Sequence, residues 1–283
     1  MMNWRVALRL GRVSNLPTVW SNVAAGAALS GRLPAAQTLL SLLLAMSLIY
    51  CAGMFLNDAF DHEIDALERP ERPIPSGQAS RREVLAFGFA MLAGGVALLS
   101  SLGLPALLAS LLLAACVVFY DLRHKQNHFS PLLMGLCRAL VYFTSALAAT
   151  GGQLPAPVWL GAMLLLAYLM GLTYAAKQEG AGRITRAWPL LGLAAPALYL
   201  LTQPASWQAW LCLGLFSAWV SRCAWLSLFR AKPDIRAAVG GLIAGISLYD
   251  AFLMAMHGLP LWALGGGAAF LLTCGFQKRI AGT

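Results

Sequence analysis

Ten apolar stretches, near residues 15–31, 36–57, 84–102, 104–120, 131–150, 157–176, 187–202, 208–229, 237–257 and 259–276, constrain any fold of this chain. Each approaches the ~20 apolar residues that span a bilayer. In hydrocarbon a backbone must satisfy its own N–H and C=O groups, and the ~10-residue alternation of a transmembrane barrel is missing. The sequence therefore predicts an all-α fold, a polytopic helical membrane bundle of nine or ten transmembrane helices forming one domain over residues 1–283. Composition agrees. Hydrophobic residues make up 59% of the chain, 11% are charged and mean hydropathy is +0.70, whereas soluble domains carry about 25% charged residues.

Basic residues recur on alternate loops: Arg5, Arg9 and Arg12; Arg69, Arg72, Arg81 and Arg82; Arg123 and Lys125; Lys177, Arg183 and Arg186; Arg230, Lys232 and Arg236; Lys278 and Arg279. Arg32 is the exception on the opposite side. The positive-inside rule places these loops in the cytoplasm, and with ten spans both termini lie there too. The expected location is an integral membrane one, in a bacterial inner membrane. Topology and attraction to anionic membrane lipid account for the net charge of +9, and nucleic acid is not implied. Residues 1–12 read as a basic interfacial lead-in instead of a cleaved signal. Six cysteines without CxxC spacing read as small hydrophobes. Gly240, Gly241 and Gly245 read as a close-packing stripe.

Six of the eleven acidic residues fall in one run: Asp58, Asp61, Glu63, Asp65, Glu68 and Glu71. Steps of three and four put Asp58, Asp61 and Asp65 within roughly 60° on one helical face. Like charges so placed repel unless a cation occupies the face. With the Asn57 amide they form a hard-oxygen surface suited to Mg2+, and Mg2+ would turn that surface into a diphosphate receptor. The same run also reads as a solvated acidic loop offsetting arginines. The following Arg69-Pro70-Glu71-Arg72-Pro73-Ile74-Pro75-Ser76-Gly77 breaks the helix, and its turn can bring Arg69 and Arg72 toward phosphate oxygens. Taken singly, each arginine reads equally well as a cytoplasmic anchor.

The run N57-D58-A-F-D61-H-E-I-D65 with the tail R72-P-I-P-S-G77 resembles the first aspartate-rich motif of the UbiA superfamily of intramembrane prenyltransferases, and the stretch from Arg9 to Asn22 is similar to that family's opening segment. The resemblance implies a Mg2+-dependent transfer of a prenyl group from an allylic prenyl diphosphate to a small aromatic or polyol acceptor. It implies metal ligation by Asn57, Asp58, Asp61 and Asp65. It also matches Tyr120 and Lys125 to a Tyr and Lys-Arg segment that contacts diphosphate, with one residue inserted. The family's second aspartate-rich motif is thinned here to Lys177, Gln178 and Glu179, which implies either that Glu179 with Gln178 holds one metal while Lys177 stands in for further positive charge, or that this site has lost ordinary catalysis. This run, Met134 to Arg138 and a late Asp in the ninth span look like the EboC-type branch, associated with secondary-metabolite clusters, and a polyol or cyclitol acceptor.

Arg138, about two turns into the fifth span, and Asp250, about four turns into the ninth, are expensive in a membrane and are expected to face the bundle interior or water. Arg138 reads as a diphosphate or acceptor contact, or as a snorkelling side chain. Asp250 reads as a base or acceptor contact, or as a structural partner for another polar group. Asn22 hydrogen-bonds either a metal-bound water or a neighbouring helix. His124 and His128 read as loop residues. Three other functions fit parts of the pattern: a terpene-cyclase-type enzyme on the same scaffold, a non-catalytic polyprenyl-lipid carrier, and a proton-coupled transporter using Asp250.

Overall fold

Prolines and capping side chains set the helix boundaries. In this computed structural model, which describes residues 2–123, 129–178, 184, 187–228, 230, 233–280 and 282, every described element is helical. Helix α1 (Trp4–Leu10) starts at Asn3, whose side chain accepts from the Arg5 N–H. A short 3-10 turn (Val13–Asn15) leads into α2 (Leu16–Leu29), which begins at Pro17. Pro is tolerated there because a first-turn N–H has no helical partner anyway. Next come α3 (Ala36–Phe60), α4 (His62–Glu68), α5 (Arg81–Ser100), α6 (Leu104–Arg123), α7 (Ser130–Thr150) and α8 (Ala156–Lys177). Ser80 caps α5: its side chain accepts from the Glu83 N–H (3.2 Å). Helices α9 (Trp207–Leu228), α10 (Ile235–Met256) and α11 (Pro260–Gln277) complete the order, after a 3-10 helix over Trp188–Leu201. Pro189 and Pro196 remove N–H donors from that segment.

Helix α10 is the centre of the bundle. Its apolar window is 83% buried, against 22% for the peripheral α6, and α10 packs against α2, α8, α9 and α11. Helix α2 also packs on α7, and α3 lies against α5 and α6. The approach of α2 to α7 depends on Gly26: a Cβ there would sit 2.7 Å from both Cα and O of Tyr142. Of the expected glycine stripe, Gly241 and Gly245 pack closely, since a Cβ would fall 2.6 Å from Cys223 Sγ and 2.8 Å from the Tyr168 hydroxyl respectively. Gly240 is roomier, with its nearest neighbour at 3.5 Å.

Every expected apolar stretch is helical, and seven of the nine or ten expected spans meet the length and hydropathy of a membrane crossing. Among the described residues, seven helices are long and apolar enough to cross a membrane: α3 and α5 to α10. Helix α2 has only 14 residues, and an α-helix of that length rises ~21 Å, short of a ~30 Å hydrocarbon core; the Trp188–Leu201 segment also has 14 residues but, as a 3-10 helix, rises ~28 Å. Helix α11 is diluted by Gly265, Gly266 and Gly267. The two ends of the chain meet. Asn15 Nδ2 donates to the Gly282 carbonyl (2.9 Å) and Gln277 Nε2 donates to Asn15 Oδ1 (2.9 Å), beside the acidic end of α3.

Candidate functional site

The acidic run straddles the end of α3. The Asp61 N–H donates to the Asn57 carbonyl (3.0 Å) and the Asp65 N–H to the Asp61 carbonyl (2.8 Å), so the helical spacing carries through the bend at Asp61 into α4. Asn57, Asp58, Asp61 and Asp65 are all buried, while Glu63, Glu68 and Glu71 are exposed. Burying carboxylates is costly without a partner. The partners here are guanidinium groups. Arg72 Nη1 donates to Asp65 Oδ2 (2.6 Å) and Asp58 Oδ1 (3.3 Å), and Arg12 Nη2 donates to Asp58 Oδ1 (3.1 Å) and Asn57 Oδ1 (3.4 Å).

Two backbone features aim these arginines. The proline-rich turn folds back through the Ser76 N–H and Oγ, both bonded to the Arg72 carbonyl, and through Gly77 at φ 75°. Arg12 has φ 42° and is the one non-glycine residue with positive φ among the described residues. That conformation costs about 1–2 kcal/mol, offset by the ion pair it permits. Burial alone would lower the Arg12 pKa, but Asp58, with Tyr50, Tyr120 and Asp121 nearby, holds it above its usual value. Among the described residues no three His, Cys, Asp or Glu side chains converge as a ready metal cage, because Asp58 and Asp65 are turned to arginine.

Behind the arginines lies a cavity of about 300 Å³. Arg12, Arg69, Arg72, Tyr120, Asp121 and Arg138 supply its polar wall, and Met46, Ile49, Leu113, Val117, Leu172 and Ile246 form much of its apolar lining. Arg138 is fixed by contacts from α2 and α3. Its Nη1 donates to Asn22 Oδ1 (2.7 Å), its Nη2 donates to Thr18 Oγ1 (3.0 Å), and the guanidinium lies 5.5 Å from the Tyr50 ring centroid. Asn22 Nδ2 in turn donates to Asp250 Oδ2 (2.8 Å), which also accepts from Ser21 Oγ (2.5 Å), while the Tyr142 hydroxyl donates to Asp250 Oδ1. Asn22 and Asp250 are fully buried and do not line the cavity; they bridge α2, α7 and α10.

The sequence-selected residues therefore divide. Asn57, Asp58, Asp61, Asp65 and Arg72 form one cluster, and Arg69, Tyr120 and Arg138 line the adjoining cavity. Lys177 ends α8 on the exposed side and Gln178 caps that helix, neither of them in the cavity lining. Lys125, Glu179, His124 and His128 lie outside the described residues. Three contributors lie beyond the sequence reading: Arg12, which reads in sequence as a topological charge within the opening segment, and Asp121 and Tyr142, to which the sequence assigns no role. An acid in the last turn of a span was the available signal for Asp121.

The chain matches the UbiA prenyltransferase family over residues 16–186, more than half its length. It is 34% identical over 172 residues to the digeranylgeranylglyceryl phosphate synthase of Methanopyrus kandleri, covering 59% of this chain and 60% of that protein. It is 36% identical over 107 residues to the enzyme of the same name from Saccharolobus solfataricus, covering 37% and 38%. The matched stretches thus span 60% or less of these relatives. A structure of digeranylgeranylglyceryl phosphate synthase shares the fold with TM-score 0.61 at 17% identity, over 93% of this chain and 98% of the other. A UbiA homolog from Archaeoglobus fulgidus bound to DMAPP and Mg2+ shares it with TM-score 0.54 at 17% identity, over 94% and 99%. These findings agree with the motif spacing and with the bundle: the chain is an integral membrane protein of the UbiA prenyltransferase family.

Proposed function

We propose that this chain is a Mg2+-dependent prenyltransferase that moves a prenyl group from an allylic diphosphate to a hydroxyl of a polyol-type acceptor. One observation carries the reading: a buried Asn57, Asp58, Asp61 and Asp65 cluster, held by Arg12 and Arg72, beside a largely apolar cavity of about 300 Å³. The donor set fits a divalent cation. It is all hard oxygen, and Asp121 adds a buried carboxylate oxygen, Oδ2, that has no hydrogen-bond partner. Asn57, Asp58, Asp61 and Asp65 would hold Mg2+, which supplies neutralisation of leaving-group charge.

The protein's own groups do the rest. Arg12, Arg69 and Arg72 offer guanidinium donors to diphosphate oxygens, an electrostatic hold that strengthens as the allylic C–O bond breaks and the diphosphate departs with the electron pair. Apolar side chains such as Ile49, Val117 and Ile246 keep water from the allylic carbon. Arg138 lines the cavity and orients an anionic or polar acceptor, whose hydroxyl oxygen forms the new C–O bond as its proton passes to the departing diphosphate. The name of the relatives describes two geranylgeranyl groups on a glyceryl phosphate, which supports a glyceryl phosphate type of acceptor.

The bundle is proposed to cross the membrane ten times, with α2, the Trp188–Leu201 helix and α11 as short spans. Contact of Asn15 with Gly282 supports an even number of crossings, because it joins the start of α2 to the end of α11. The acidic end then faces the cytoplasm by its arginines. The EboC-like branch rests on residues 134–138 and 175–179 and on Asp250 alone, and the relatives reported above are archaeal, so they lend no support to that branch or to a bacterial membrane. The test is incubation of purified protein with geranylgeranyl diphosphate, Mg2+ and a panel of glyceryl phosphate, cyclitol and aromatic acceptors, with products read by mass spectrometry. A prenyl ether of a polyol is expected. A prenylated aromatic ring would overturn the acceptor class, and a cyclised hydrocarbon would overturn transfer.

A further inference from the structure

Asp121 stands out from the other acids near the cavity. It projects from the last turn of α6, is 3% exposed and, among the described residues, is the sole acidic one lining the cavity. Its Oδ1 accepts from Asn57 Nδ2 at 3.3 Å, whereas its Oδ2 is buried without a hydrogen-bond partner. Asp58 and Asp65, by contrast, have Arg12 and Arg72 on them. A buried carboxylate oxygen without a hydrogen-bond partner costs on the order of 1–3 kcal/mol or more, so its retention implies something that occupies it. The occupant must be cationic or a strong donor. Asn57 ties this oxygen pair to the acidic run: its amide nitrogen reaches Asp121 while its amide oxygen accepts from Arg12, and Asp58 and Asp61 lie within electrostatic range.

We propose that Asp121 is a ligand for a divalent cation shared with the diphosphate, extending the carboxylate platform of α3 and α4 across to α6. The proposal rests on the metal-dependent reading above and adds a ligand to it. Oxygen from a third helix would bring the ligand set to the cavity wall, which Arg12 and Arg72 also line. Hard-oxygen coordination by one carboxylate, an amide and substrate oxygens suits Mg2+ or Mn2+.

Full-length protein is titrated with Mn2+ in the presence of inorganic diphosphate, with free Mn2+ read by electron paramagnetic resonance. Asp121→Asn keeps an oxygen to accept from Asn57 but loses the charge; its Mn2+ affinity is expected to fall roughly tenfold or more. Asp121→Glu restores a carboxylate and is expected to bind Mn2+ more tightly than Asp121→Asn. Unchanged affinity in Asp121→Asn, or equal weakening in both variants, overturns the proposal. No Mn2+ binding by the unaltered protein overturns the metal-dependent reading itself. Anomalous scattering from Mn2+ in crystals of the unaltered protein, which needs no variant, should place an ion about 2.1 Å from the Asp121 carboxylate. Ions confined to Asp58, Asp61 and Asp65 would contradict it.

Discussion

Two clusters in this bundle pair buried carboxylate with arginine, and they do so for opposite ends. At the end of α3, Asp58 and Asp65 meet Arg12 and Arg72, which come from a strained turn and a proline-rich turn outside the spans. In the middle, Asp250 meets Arg138 only through Asn22, and Ser21 and Tyr142 take up its remaining oxygen lone pairs. The deep cluster is closed: its parts sit on three packed helices and only Arg138 reaches the cavity. The outer cluster is open, since its cations are carried on turns that can yield to a substrate. Burial and pairing alone therefore do not mark a reactive acid. What distinguishes the two is whether the partner is fixed by helix packing or carried on a turn.

The largest expected effect tests the open cluster. Asp65→Asn should lower prenyl transfer by about 100- to 1,000-fold with little change in melting temperature, assayed by product formation and thermal unfolding in parallel. Matched losses in both readouts would make the outer cluster structural too. In the closed cluster the readouts should trade places: Asp250→Ala strands buried donors and costs about 3–5 kcal/mol, seen as a lower melting temperature, whereas Asp250→Asn keeps one acceptor oxygen and costs less. Transport of protons lost in Asp250→Asn with stability intact would instead point to a transporter. Gly26→Ala comes next, pushing a methyl against the Tyr142 backbone and shifting the helix that carries Arg138, for a loss of about 1–3 kcal/mol. The smallest effect belongs to Ser80→Ala, whose side chain bonds Glu83 within the first turn of α5, which should cost ~1 kcal/mol through its lost cap and leave transfer unchanged.

Much of the fold was legible because a membrane simplifies the reading. Runs of apolar residues had to be helices, and each of the ten is one. Their lengths were less legible, since Pro189 and Pro196 tighten one segment into a 3-10 helix and glycines thin α11, effects of local backbone chemistry that hydropathy does not see. The carboxylate face was readable from spacing, because four-residue steps survive the bend at Asp61. Its counterions were not. Arg12 lies 46 residues from Asp58, and its role depends on a left-handed backbone that nothing in a basic lead-in announces. Asp121 likewise meets Asn57 across 64 residues. Asp250 was visible as an anomaly, but whether it touched substrate or other helices depended on tertiary packing.

The central claim is that the acidic end of α3 receives a diphosphate with the help of divalent metal. Binding of an unreactive prenyl thiodiphosphate to purified protein, measured by calorimetry with Mg2+ and again with Mg2+ removed by chelation, tests this most directly. Tight binding that requires Mg2+ and is lost in Asp61→Ala is predicted. Equal binding with and without Mg2+, or binding untouched by Asp61→Ala, would contradict the account.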